Sequence, residues 1–253
     1  MKRFSGTHAV VTGASSGLGK DIALGLRREG ADRIILMDVD MPGLQETAAL
    51  LGGAGEPVLC DVADPASVAA AWSRANLSDG LDVLVTAAGI IGSGADIEHC
   101  PVEDWDRIFA INVRGTYLTV QKALPHLRRK GGAIVTLGST AGLAGSRALG
   151  PYSASKGAIT TMTRSLALAH ASDGIRVNCV CPGSIDTPML QATFDAAGDA
   201  AASAQRKAAY LARYPLGRFG EAREITQAAL FLASSDASYM TGVCMPVDGG
   251  VLA

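Results

Sequence analysis

Tyr152 and Lys156 lie four residues apart in Tyr152-Ser153-Ala154-Ser155-Lys156, with Ser139 thirteen residues before the tyrosine and Asn112 further upstream. These side chains suit acid/base chemistry. On a helix, positions i and i+4 stack on one face, so the ammonium is expected to lower the tyrosine pKa from about 10 toward neutrality. A phenol tuned in this way exchanges protons with an alcohol. The Ser139 hydroxyl is a donor suited to a developing alkoxide, and no histidine stands near it in sequence to make it a nucleophile. Gly138-Ser139-Thr140-Ala141-Gly142 is also not the Gly-x-Ser-x-Gly nucleophile elbow. Taken alone, Ser139 reads equally well as a strand-end cap and Asn112 as a helix cap.

A second group of residues is suited to holding a dinucleotide. Thr12-Gly13-Ala14-Ser15-Ser16-Gly17-Leu18-Gly19 follows a β-branched run directly and opens a helical pattern through Lys20, Ile22, Leu24 and Leu26. Glycines at such a turn let the backbone approach a pyrophosphate, whose charge the free N–H groups of the helix N-terminus stabilise. Asp38 stands about twenty residues further on, at the end of the next strand, where a carboxylate accepts hydrogen bonds from adenosine ribose hydroxyls. A 2′-phosphate there would meet the like charges of Asp38 and Asp40, and neither Ser15, Ser16 nor Val39 supplies a cation, so the expected cofactor is NAD rather than NADP. The other reading of Asp38 is a turn or helix cap. Asp61, with Val62 beside it, ends the third strand and is placed to receive the adenine amino group, or to serve as a turn residue.

These residues must be positioned by a single α/β unit. Short β-branched runs alternate with helical patterns, the signature of a parallel sheet covered on both faces. Seven strands are expected, at His8 to Val11, Arg33 to Asp38, Pro57 to Asp61, Leu81 to Thr86, Ala133 to Leu137, Arg176 to Cys181 and Val243 to Val247. Asp40 ahead of Met41-Pro42, Asp64 ahead of Pro65, and Pro151 ahead of Tyr152 mark helix starts. The alanine-rich stretch Gln191 to Ala209 has high helix potential but few anchoring residues, which suits a mobile lid over about residues 190–215.

Composition narrows the partners. Apolar residues make up 48% of the 253 residues and charged residues 18%, below the usual ~25%, so part of the apolar surface is expected to be buried in a homo-oligomer. A net charge of −2 without a dense basic run gives no electrostatic basis for nucleic acid or an anionic membrane as partner. No apolar stretch approaches 18 residues and no signal-peptide pattern opens the chain, which suggests a soluble, cytoplasmic protein. Five scattered cysteines without C-x-x-C spacing read as reduced thiols, and four isolated histidines show no metal-ligand spacing.

With both groups of residues in hand, the chain resembles the short-chain dehydrogenase/reductase family over nearly its whole length. The resemblance rests on the Thr12 to Gly19 turn, Ala88-Gly89, Asn112, Ser139, Tyr152, Lys156, Asn178 to Gly183 leading to Thr187-Pro188-Met189, and Tyr239 to Gly242 followed by Val247 to Gly250. It implies a doubly wound Rossmann fold and hydride transfer between a secondary alcohol, or its ketone, and a nicotinamide cofactor. Tyr152 would be the general acid or base, and Ser139 the partner of the substrate oxygen. Lys156 would hold the nicotinamide ribose, and Asn112 would sustain a water-linked proton relay. The turn Pro182-Gly183-Ser184-Ile185 and Thr187 would seat the nicotinamide, and a tetramer would be the favoured assembly. An NADPH-linked 3-oxoacyl-carrier reductase and a non-catalytic dinucleotide sensor are the other readings.

One position departs from the family pattern. Where Asn-Asn-Ala-Gly is usual after the fourth strand, this chain has Thr86-Ala87-Ala88-Gly89; Thr86 lacks the amide, although its hydroxyl is expected to make one bond to a neighbouring strand. The substrate is not named by any motif. The expected pocket walls, Ile91 to Ala95, Thr140 to Leu149, Ser184 to Met189 and the lid from Leu190, are mostly small or apolar, including Leu143, Leu149 and Met189. Arg147, Arg206, Lys207 and Arg213 are the nearby cations that could pair with an anionic group on a substrate.

Overall fold

The computed structural model describes residues 2–195 and 199–253; positions 196–198, inside the expected lid, lie outside the described residues. The elements run β1 (His8–Thr12), α1 (Gly17–Arg28), β2 (Arg33–Asp38), α2 (Met41–Leu51), β3 (Gly55–Leu59), α3 (Pro65–Ala75) and β4 (Val83–Thr86). They continue with α4 (Val102–Phe109), a π-helical turn (Ala110–Arg114), α5 (Gly115–Leu127), β5 (Gly132–Leu137), α6 (Ala141–Ala144) and α7 (Gly150–His170). The last part holds β6 (Ile175–Pro182), β7 (Ile185–Asp186), α8 (Pro188–Asp195), α9 (Ala200–Leu211), β8 (Gly220–Glu221), α10 (Ala222–Ala233) and β9 (Cys244–Val247). The seven expected strands are all present with ends shifted by up to two residues. A separate two-stranded pair, β7 with β8, was not expected from sequence.

The seven strands form one parallel sheet in the order β3-β2-β1-β4-β5-β6-β9. Alternation along each strand sorts the core into two layers. Val11, Ile34, Leu36 and Val85 face α1 and α10, while Val10, Ile35, Met37 and Leu84 face α3 and α5. Each of these fully buried side chains contributes about 1.5–3 kcal/mol by leaving water, which explains why the strands read as continuous apolar runs rather than alternating ones.

The chain moves outward from β1 to β3 and then returns to lay β4 on the other side of β1. That reversal opens a crevice beyond the carboxyl ends of β1 and β4, where open α/β sheets bind ligands. Local signals hold the elements that border it. Asp40 accepts from the Gly43 N–H at the start of α2, and Asp64 accepts from the Ala66 and Ser67 N–H groups at the start of α3, each cap worth about 1 kcal/mol. Pro151 opens α7, the helix that carries Tyr152 and Lys156.

Candidate active site

The β1–α1 turn is built so that backbone, not side chains, lines the crevice. At Gly19 a Cβ would lie 2.1 Å from the Gly13 carbonyl oxygen, and at Gly13 one would lie 2.7 Å from the backbone of Ala87 and Ala88. Neither position admits a side chain. Gly17, with φ of +53°, faces open space, and Ser16 makes no side-chain cap bond at the start of α1. The first N–H groups of α1 are therefore directed at the crevice without an internal acceptor, a setting that favours an anion. The residues present fit a dinucleotide.

A groove of about 360 Å³ runs from this turn past Gly13, Ser15 to Gly19, Asp38, Asp61, Val62, Ala88 and Gly89. The Asp38 carboxylate sits at its edge: Oδ2 accepts from the Ser15 N–H (3.2 Å) and hydroxyl (2.8 Å), and Oδ1 from the Val39 (2.7 Å) and Asp40 (3.2 Å) N–H groups. Asp38 thus caps its own turn and still borders the groove, so the two sequence readings coexist. Asp61 similarly accepts from the Ala63 N–H while bordering the groove.

Asn112 is not a helix cap. It lies in the π-helical turn between α4 and α5, buried, where the wider turn directs its amide inward. Its Oδ1 accepts from the Ile90 N–H (2.8 Å), and its Nδ2 donates to the Ile90 carbonyl (2.9 Å) and the Ser155 hydroxyl (3.0 Å). One side chain therefore ties the segment after β4 to the helix bearing the tyrosine and lysine. Thr86, by contrast, makes no such link: its buried hydroxyl has no partner among the described residues, which corrects the expectation of an inter-strand bond.

Ser139 reaches Tyr152 because glycines on either side allow close approach. At Gly138 a Cβ would lie 2.7 and 2.9 Å from the Cys179 and Cys181 sulfurs, and at Gly142 one would lie 2.5 Å from the Lys156 carbonyl carbon. The turn after β5 consequently presses onto α7. The Ser139 hydroxyl faces the Tyr152 phenol closely enough to hold its pKa down against burial, and its oxygen accepts from the Ala141 N–H (3.2 Å). Lys156 Nζ lies 5.7 Å from the Tyr152 ring centroid and donates to the Leu137 carbonyl (2.8 Å).

The electrostatics differ from the sequence expectation. Burial raises the Tyr152 pKa to about 12, only partly offset by the Ser139 hydrogen bond, and burial lowers that of Lys156 to about 8. The lysine is not what sets the phenol's value. Its own charged form is disfavoured by the same burial, against which the neighbouring Cys179 and Cys181 sulfurs act in the opposite sense. Hydrogen bonding to Cys179 and Cys244, then burial, push the Cys181 thiol far above its ordinary value. The three cysteines, scattered in sequence, meet because Cys179 and Cys244 are register partners on β6 and β9, and Cys181 lies two residues on, its sulfur 3.7 Å from that of Cys179.

Comparison with known proteins agrees with this geometry. A family model described as enoyl-(acyl carrier protein) reductase matches residues 13–252. An inactive 2-(S)-hydroxypropyl-CoM dehydrogenase from Xanthobacter autotrophicus is 42% identical over 89% of this chain and 97% of the relative. A cis-4-hydroxycyclohexanecarboxylate dehydrogenase from Sinomonas cyclohexanicum is 40% identical over 97% of this chain and 96% of the relative. The crystal structure of a 3-ketoacyl-(acyl-carrier-protein) reductase from Brucella melitensis, complexed with NADH, superposes with a TM-score of 0.88 at 33% identity, covering 98% of each chain. The chain belongs to the short-chain dehydrogenase/reductase family. It is an oxidoreductase of the class acting on CH–OH groups, and its family binds a nicotinamide dinucleotide.

In this short-chain dehydrogenase/reductase, Tyr152, Lys156 and Ser139 border a second cavity of about 300 Å³ that includes Pro182, Gly183, Ile185 and Thr187. Leu18, Ala87, Gly89, Thr187 and Met189 line both cavity and groove, so the two are continuous. Further walls include the apolar Ile91, Ala141, Ala144, Leu149 and Leu190 and the polar Thr140, Ser146, Ser184 and Thr193. Leu143, expected in the wall, is instead exposed at 36% and does not line it. Val251 and Leu252 at the C-terminal end do, as do Tyr210 and Tyr214. Tyr210 and Tyr214 fall within the segment expected as the lid wall; sequence reading missed Val251 and Leu252 because contact across more than fifty residues leaves no local spacing signal. Among the described residues, no cluster of three or more His, Cys, Asp or Glu side chains could hold a metal ion, and no helix is long and apolar enough to cross a membrane.

Within the segment expected to act as a lid, α8 is anchored and α9 is not. Leu190 and Phe194 of α8 are buried, whereas α9 has no buried residue. Of the four nearby cations, Arg213 alone lines the cavity with Tyr152. Arg206 borders a neighbouring groove and donates to the Thr193 carbonyl (2.9 Å).

Proposed function

We propose that this chain is an NAD-dependent oxidoreductase that transfers a hydride between a secondary alcohol, or its ketone, and the nicotinamide. The carrying observation is that Tyr152, Ser139 and Lys156 converge on a cavity continuous with a groove that ends at Asp38. When bound, the nicotinamide supplies the hydride acceptor for oxidation, or the donor for reduction. The chain's own residues handle the proton. Ser139 donates to the substrate oxygen as it becomes alkoxide-like, and Tyr152 as phenolate takes the hydroxyl proton in oxidation, returning it from the phenol in reduction. Lys156 would hold the nicotinamide ribose, and Asn112 holds Ser155 and Ile90 so that α7 keeps its place behind the cavity. The groove residues Gly13, Ser15 to Gly19, Asp61, Val62, Ala88 and Gly89 would receive the adenosine diphosphate, and Pro182, Gly183, Ile185 and Thr187 the nicotinamide.

The preference for NAD over NADP rests on Asp38. Its carboxylate is held at the groove edge by Ser15, Val39 and Asp40, none of them a cation, so a 2′-phosphate would meet negative charge at Asp38 without a compensating cation among these partners. The same feature weighs against an NADPH-linked 3-oxoacyl-carrier reductase. The inactive relative keeps open a dinucleotide-binding protein without turnover, against which stands the retained Asn112, Ser139, Tyr152 and Lys156 set. Free cysteines and the exposed apolar side chains Val102, Trp105, Tyr117 and Leu168 support a reducing, cytoplasmic setting and a homo-oligomer.

Titration with NADH and NADPH, followed by a secondary-alcohol panel read at the reduced nicotinamide band, tests the proposal. NADH is expected to bind more tightly than NADPH, and Tyr152→Phe to reduce kcat by at least about 10²-fold with little change in NADH binding. Asp38→Ala combined with Val39→Arg is expected to shift the preference toward NADPH; an unchanged ratio removes Asp38 from the role.

A further inference from the structure

Four of the chain's ten phenylalanine and tyrosine residues gather where the lid segment meets the end of the sheet. Phe194 lies 5.6 Å from Tyr210 and 5.7 Å from Phe219, and Tyr214 meets Phe219 edge-on at 6.0 Å. Within this group Tyr214 alone directs a polar atom at the turn after β6. Its ring is buried at 9% exposure, and its hydroxyl oxygen accepts from the Ser184 N–H at 2.7 Å while donating to the Ser184 hydroxyl at 2.6 Å.

The ring fits only because both neighbours are glycines. A Cβ at Gly183 would lie 3.1 Å from Cε1, and one at Gly249 would lie 3.3 Å from Cδ1. Ser184 falls between β6 and β7, outside either ladder; its carbonyl accepts from the Gly220 N–H (3.0 Å), and its N–H has the Tyr214 hydroxyl as its partner. The turn from Pro182 to Ile185 is therefore held in place on its outer side by the segment that follows α9. That turn lines the cavity opposite Tyr152 and Lys156.

We propose that Tyr214 is a positioning residue for the nicotinamide end of the cofactor, acting through Ser184 to fix the Pro182–Ile185 turn. The inference rests on the proposed seating of the nicotinamide at this turn. Tyr214 touches neither Tyr152 nor the β1–α1 turn in its hydrogen bonding, so its influence is confined to the nicotinamide half of the dinucleotide. It also joins the substrate-side covering to the cofactor side, because Arg213, its neighbour in sequence, lines the same cavity.

Tyr214→Phe keeps the ring packing and removes only the hydroxyl, leaving the Ser184 N–H without a partner. Dissociation constants of the variant and the natural protein are measured for NADH and for ADP-ribose, which lacks the nicotinamide. The expected result is about tenfold weaker NADH binding, the effect of one unpaired buried donor, with ADP-ribose affinity unchanged. KM for NAD rises in the same proportion, and the pH dependence of kcat stays in place. Unchanged NADH affinity, or an equal loss for both ligands as a general loosening would give, overturns the inference. If Tyr214→Phe does not fold, Ser184→Ala, which removes the hydroxyl acceptor, is read by the same two affinities. Natural protein that binds ADP-ribose but not NADH overturns the nicotinamide reading and the inference with it, and is recognised because no substitution is involved.

Discussion

Burial acts on Tyr152 and Lys156 in opposite senses, raising the phenol to about 12 and lowering the ammonium to about 8. The identities of these residues were legible in sequence, because i and i+4 spacing is local. Their proton affinities were not, because these depend on Leu137, Cys179 and Cys181, which come from distant strands. The sign of the stability effect follows. Between about 8 and the lysine's ordinary 10.5, the unfolded chain binds more protons than the folded one, so the lysine contributes stability that is absent below pH 8 and gained as pH rises through that window. For Tyr152 the contribution is full below its ordinary 10 and is lost as pH rises toward 12. Lys156→Met is expected to abolish the rise between pH 8 and 10, measured as the difference in denaturation midpoint between variant and natural protein across pH. A retained rise would mean that Lys156 titrates in the folded protein as it does in water. The raised phenol further implies that alcohol oxidation, which needs the phenolate, accelerates with pH well above neutrality.

At the scale of elements, the sheet and most helix starts were readable because caps, prolines and apolar runs act locally. The π-helical turn was not. Ala110–Arg114 carries no proline or glycine signal, and its geometry follows from directing Asn112 between Ile90 and Ser155. Asn112→Ala would leave the part-buried Ile90 N–H and carbonyl without these partners, costing about 1–3 kcal/mol as two lost hydrogen bonds. The expected outcome is a lower denaturant midpoint together with reduced kcat, since α7 loses its link to the segment after β4. A variant with natural stability and natural kcat would show that the turn holds itself. The anchoring of α8 was similarly hidden: Phe194 looks isolated in an alanine-rich stretch, but its partners Tyr210 and Phe219 arrive from the last turn of α9 and from the approach to β8.

At the scale of the whole molecule, charge is distributed against the average. The chain carries a net charge of −2, yet among the described residues no Asp or Glu lines the cavity around Tyr152, which is bordered by Lys156 and Arg213. Lys156 is engaged at the catalytic end by the Leu137 carbonyl. Arg213 has no carboxylate within 4.0 Å among the described residues and rests against the Tyr210 ring, 5.9 Å from its centroid. In a cavity of about 300 Å³ with mostly apolar walls, Arg213 is a cation that an anionic group on a substrate alcohol would meet. Arg213→Gln is expected to raise KM by about 10-fold for a hydroxy acid, as a lost charge-assisted hydrogen bond of about 1.5–3 kcal/mol implies, while leaving a neutral alcohol of equal size unaffected. The split between the two substrates separates charge recognition from lid packing. Equal effects on both would place Arg213 in packing against the Tyr210 ring at the end of α9 and leave the substrate's charge unread by this cavity.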